Sequence, residues 1–155
     1  MIDVSRHAAR QEWAGRPVLY ALVSREALAA ADAELPPEVW QAPAGSLIPL
    51  EQEPLEYGEP DQVLARIKWP DEVAGCVLVT DVVALPEAVK RDPPSELALA
   101  EDWARTHAEG HQAQLAVGVL RDGHYMCGLW RLGDQEIEVR PDLADDLIAA
   151  LLGTF

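Results

Sequence analysis

Gln114–Leu132, QLAVGVLRDGHYMCGLWRL, reads as two apolar strands folded about Asp122-Gly123. Asp-Gly is a strong hairpin signal, because a type I′ turn needs positive φ at both central residues, which glycine adopts freely and aspartate tolerates. Counting outward from a two-residue turn pairs Leu120 with Tyr125, Gly118 with Cys127 and Leu115 with Trp130, and paired residues share a face. One face then carries Leu115, Val117, Val119, Met126, Trp130 and Leu132, a bulky layer for helices to cover. The other carries Ala116, Gly118, Leu120, Tyr125, Cys127 and Leu129. A ribbon apolar on both sides departs from the usual antiparallel pattern of one dry and one wet face, so the second face calls for a cover of its own, a helix or a second subunit.

Other strands are read on either side of it. Val18–Val23 (VLYALV) is a continuous apolar run of strand length, and Ser24 after it caps an alanine-rich helix over Arg25–Leu35. Glu38–Ser46 reads as loop, with Trp40 in it. Leu47–Leu55 (LIPLEQEPL) contains two prolines that cannot donate to a ladder, which assigns it to a sheet edge or an extended arm. Gly75–Leu85 (GCVLVTDVVAL) is β-branched and nearly continuous, a central strand with Asp81 near its exit or at a bulge. Helices are predicted over Asp3–Trp13, Gln62–Lys68, Glu96–Glu109 and Leu143–Leu152, and Ile137 and Val139 mark a further short strand. The last helix has Leu143, Leu147, Ile148 and Leu151 on one stripe, with Asp145 and Asp146 in its first turn. This order predicts one α+β domain over 1–155: a mostly antiparallel sheet of four to five strands with helices packed on it, ending in a β-hairpin and a C-terminal amphipathic helix.

Composition narrows the partners. The chain has 27 acidic against 12 basic residues, a formal charge of −15, which opposes binding to phosphate backbones and anionic membranes. No apolar run approaches the roughly 20 residues of a membrane span, and MIDVSRHAARQEW lacks the layout of a signal peptide, so a cytoplasmic protein with no nucleic-acid partner and no membrane insertion is expected. Cys76 and Cys127 lie in apolar strands without Cys-x-x-Cys spacing and are expected reduced and buried.

Candidate sites are few. His107 and His111 are four apart, yet Glu109 is misplaced for the zinc-protease arrangement, Gly110 ends the helix between them, and no third ligand is assigned, so no metal site is read there. Glu51, Glu53 and Glu56 form an acidic cluster suited to acid/base work or a hard cation, and equally to keeping an exposed edge from pairing with other chains. No Gly-x-Ser-x-Gly elbow occurs, and His124 and Cys127, three apart on one strand, point to opposite faces. No catalytic residue and no cofactor is assigned. Of five tryptophans, Trp13, Trp40 and Trp69 lie in loops or at element ends, where an indole plugs a core edge or anchors a partner.

Four blocks, Arg16–Val23 (RPVLYALV), Ser46–Leu55 (SLIPLEQEPL), Trp69–Val79 (WPDEVAGCVLV) and Ala116–Gly123 (AVGVLRDG), together with the acidic C-terminal helix, resemble an uncharacterised family of small acidic actinobacterial conserved hypothetical proteins. LEQEPL, WPDEVAGC and GVLRDG are the most specific pieces. The resemblance implies the cytoplasm of a high-GC bacterium, which ten arginines against two lysines also fit, and it implies no reaction.

The expectation from sequence is a non-enzymatic binding or adaptor module, chaperone-like in size and charge, that self-associates as a dimer or docks a protein partner through Trp40, Trp69, Ala116, Gly118, Cys127 and Leu129. The rival is a small-substrate enzyme using Glu51, Glu53 and Glu56, with or without a metal.

Overall fold

Val18–Ser24 (β1) alternates poorly because both of its sides are dry, with five of its seven residues buried. In the computed structural model, which describes residues 16–53, 55, 60–84, 111–131 and 136–155, β1 lies between Leu47–Glu51 (β2) and Val73–Ala84 (β3). His111–Leu120 (β4) follows β3, then Tyr125–Arg131 (β5) and Glu138–Arg140 (β6). These six strands form one sheet in the order β2-β1-β3-β4-β5-β6, every neighbour antiparallel. The α+β expectation is thereby corrected. Strands dominate the described residues, a sixth strand separates the hairpin from the C-terminal helix, and the helices are short: Arg25–Ala30 (α1), Pro37–Trp40 (α2), Pro60–Leu64 (α3) and Asp145–Leu152 (α4). The helices predicted over Asp3–Trp13 and Glu96–Glu109 lie outside the described residues.

The first and last of these helices are shorter than expected for identifiable reasons. Ser24 caps α1 by accepting from the amide of Ala27 at 3.1 Å, as its sequence suggests, but the helix ends at Ala30 instead of Leu35. Asp32 takes φ 52°, its amide donates to Ala29 O, and that of Ala33 donates back to Leu28 O, a Schellman closure with aspartate in the place glycine usually fills. The C-terminal helix is shorter than the Leu143–Leu152 expected. Leu143 and Ala144 stay outside α4 with their amides directed at the sulfur of Cys127, leaving an eight-residue helix of about two turns.

The hairpin itself departs from the two-residue turn. Gly123 has φ +93°, whereas Asp122 is not in the positive-φ region, so type I′ geometry is not met. The amide of Gly123 donates to Leu120 O at 2.9 Å and that of Leu120 to His124 O at 2.7 Å, a three-residue loop of Arg121, Asp122 and Gly123. The register therefore moves by one, pairing Val119 with Tyr125, Gly118 with Met126, Val117 with Cys127 and Leu115 with Leu129. A slip of one residue turns every β5 side chain over.

Two layers result. On the first face, Leu19, Cys76, Leu78, Leu115, Val117, Val119 and Cys127 pack with Ile148 and Leu151 of α4, Leu64 of α3, and Leu55. The second face buries Val18, Tyr20, Val77, Val79 and Ala116, with Leu22 against them. The edges are modest: β2 has Pro49 opposite Leu22, and β6 is three residues long. Inside the sheet β3 and β4 approach closely at Gly75, where a Cβ would lie 2.5 Å from the carbonyl oxygen of Val119 and 2.6 Å from Leu120 Cδ2.

Urea unfolding checks this packing. Gly75→Ala is expected to lose about 1–3 kcal/mol through overpacking against backbone. Leu78→Ala should lose about 2–5 kcal/mol, while Leu47→Ala, at an exposed site, stays within about 0.5 kcal/mol of the parent. A Gly75→Ala protein as stable as Leu47→Ala would contradict the close approach.

Candidate interaction surface

The corrected register decides which residues share a surface. Gln114, Ala116, Gly118, Met126, Gly128 and Trp130 occupy the second face, and Cys127 and Leu129 the first. Ala116, Gly118, Cys127 and Leu129, expected together on one docking face, are thus divided between two. Ala116 is buried between Val79 and Gly128, and Gly118 is buried between Val77 and Met126. Cys127 is buried beneath the start of α4, its thiol donating weakly to Pro141 O at 3.9 Å, and Leu129 is half-buried in the first core. The central residues of the second face are at most 5% exposed within a single chain, so that region needs no second copy to keep it dry.

The two tryptophans have different fates. Trp40 ends α2 and is exposed. Trp69 is half-buried in a clasp: its amide donates to Thr154 O at 3.1 Å, and its indole nitrogen is buried beside the thiol of Cys76. Around it Lys68 Nζ donates to Gly153 O at 2.7 Å, and Arg121 donates to Pro70 O at 2.7 Å and Val73 O at 3.1 Å while its guanidinium lies 4.8 Å from the Phe155 ring. Nothing in the sequence of residues 68–70 announces that role, because the contacts to Arg121, Gly153 and Thr154 each span more than fifty residues.

Glu51 and Glu53 are exposed, and Glu56 lies outside the described residues. Glu51 stands cross-strand from Tyr20. Burial first, then the charge of Glu51 and a hydrogen bond to it, push the Tyr20 hydroxyl up to about 12. Among the described residues no group of three His, Cys, Asp or Glu side chains converges as a metal site would require, and no helix is long and apolar enough to cross a membrane. His107 lies outside them.

What sequence reasoning missed is the outer end of β5 and β6. Of five exposed large hydrophobics among the described residues, three are there: Tyr125 at 46%, Met126 at 41% and Val139 at 43%. Val139 pairs with Gly128, which makes Met126 and half-buried Trp130 its diagonal neighbours on the second face, within reach of long side chains. Tyr125 adjoins Met126 from the other face. Single exposed apolar residues are ordinary, but neighbours of this size form a patch. A correct hairpin register would have found Met126 and Trp130 on the same side as Gly118.

The family described as PPA1309-like protein matches residues 1–155. The chain belongs to the PPA1309-like protein family. No curated protein and no solved structure matches it. The name of the PPA1309-like family specifies no reaction, so function is argued from geometry.

Two titrations check the site's electrostatics. Burial pushes the Cys76 thiol up to about 11, partly offset by the neighbouring Thr154 and Trp69 side chains, and burial also raises Cys127. Neither thiol of the native protein should react with a disulfide reagent near neutral pH, and both should after denaturation; fast native labelling would contradict their burial. For Tyr20 a folded value near 12 against an ordinary 10 means that its stabilisation is complete below pH 10 and is lost as pH rises through 12. Absorbance at the tyrosinate band should therefore show one late-ionising tyrosine, absent in Tyr20→Phe.

Proposed function

We propose that this protein is a non-enzymatic protein-binding module, an adaptor of an actinobacterial cytoplasm, which docks a partner on the outer end of β5 and β6. The observation that carries this reading is the exposure of Met126 and Val139 as diagonal neighbours on the second face, with exposed Tyr125 next to Met126 on the other, in a sheet whose other apolar residues are largely buried. Methionine suits such a role because its unbranched, polarisable side chain adapts to the partner's shape. The three-residue β6 gives little backbone for strand addition, so side-chain contacts would supply the affinity. The excess of arginine over lysine supports the high-GC origin, and the charge of −15 supports a protein partner over nucleic acid.

Affinity capture from the protein's own host tests the proposal. Wild-type protein should retain a stoichiometric partner, and Met126→Asp/Val139→Asp, confirmed folded by circular dichroism, should lose it. Equal retention by the double variant, or no stoichiometric partner for the wild type, would overturn the reading.

A further inference from the structure

At Asp122-Gly123 the main chain can rearrange itself, and the hairpin surrounds the pair with contacts that oppose the reaction. In an Asp-Gly pair the glycine nitrogen, with no side chain beside it, can bond to the aspartate Cγ. The nitrogen's proton and the carboxyl's hydroxyl leave as water, which closes a succinimide ring. Water then opens that ring at the main-chain carbonyl and gives isoaspartate, of unchanged mass, in which the chain runs through Cβ and Cγ. Nothing but water enters or leaves, and no electrons are exchanged. Asp122 and Gly123 are exposed, and apart from its chain neighbours no atom lies within 4 Å of where a Cβ on Gly123 would stand, so the ring has room to form.

Both reacting groups are tied elsewhere in the folded hairpin. The amide of Gly123 donates to Leu120 O at 2.9 Å, which fixes the nitrogen in the turn. Asp122 Oδ1 accepts from the amide of His124 at 3.1 Å, and His124 Nδ1 stands 2.9 Å from the same oxygen. These bonds, that of the His124 side chain first, hold the carboxyl below its usual range, because they favour its charged form. An ionised carboxylate is a poor electrophile with no hydroxyl to lose. We infer that Asp122-Gly123 is a site of spontaneous isoaspartate formation, which His124 holds in check as a positioning residue. The three-residue loop sets the register that pairs Val117 with Cys127 and Gly118 with Met126, so an extra backbone atom in it disturbs the placing of β5. The inference stands apart from any partner at Met126 and Val139.

Ageing the full chain at neutral pH and mapping isoaspartate in the tryptic peptide 122–131 tests the inference. The chain unfolded in urea should isomerise fastest and the native wild type slowest. His124→Ala, at an exposed site that leaves the fold intact, should isomerise about threefold faster than wild type, the rate equivalent of one lost exposed hydrogen bond. His124→Asn, whose amide nitrogen can stand where Nδ1 stands, should restore the slower rate. A carbon-detected NMR titration of the Asp122 carboxyl supplies a second readout: its midpoint should rise in His124→Ala, which a general loosening of the turn would not require. Native wild type ageing as fast as the unfolded chain, His124→Ala ageing no faster than wild type, or an Asp122 midpoint unmoved by that substitution would overturn the inference. So would an unfolded chain that forms no isoaspartate at this pair.

Discussion

The antiparallel ladder between β3 and β4, running from Gly75 opposite Leu120 to Ala84 opposite His111, is the constraint on which the remaining structure is assembled. It fixes the two faces for every other strand: Cys76 and Leu78 with Val117 and Val119 toward the helices, Val77 and Val79 with Gly118 and Ala116 away from them. Gly75 is the tight point of that ladder, because the backbone of β4 occupies the volume of a side chain there. β1 adds on one flank with a register irregularity between Leu22 and Val23, and β5 adds on the other. α4 then closes the first face with Ile148 and Leu151.

Much of this framework is legible in the residues themselves. VLYALV and GCVLVTDVVAL lack polar alternation because both strands are covered on two sides, and the prolines of LIPLEQEPL assign it to an edge. The hairpin register was not legible. Asp-Gly fits both a two-residue and a three-residue loop, and the decision is made by tertiary contacts: the amide of Arg121 donates to Ala74 O, and its guanidinium holds Val73 and Pro70. Arg121 is thereby drawn from the strand into the turn. The same kind of distant contact takes Leu143 and Ala144 out of the last helix, since their amides face Cys127.

The interaction surface suffered from the same one-residue ambiguity. With the two-residue turn, Cys127 and Leu129 stand beside Ala116 and Gly118; with the three-residue loop they go under α4, and Met126 comes out in their stead. The acidic excess was available from composition alone, whereas its distribution was not, because it depends on which arginines close on carbonyls and carboxylates. Trp69 shows how little residue type alone says of surroundings: its ring is half-buried against the first core and its amide donates to Thr154 O.

That clasp has a consequence for how the molecule opens. An eight-residue helix such as α4 has little stability alone and would be expected to fray. Here the turn after it is bonded to Lys68 and Trp69, and Phe155 lies under Arg121, itself anchored to the loop before β3. Releasing α4 thus requires breaking contacts to β3 and the hairpin together. Its amides should exchange with solvent only when the sheet itself comes apart, which makes a two-turn helix part of the same cooperative unit as the central strands.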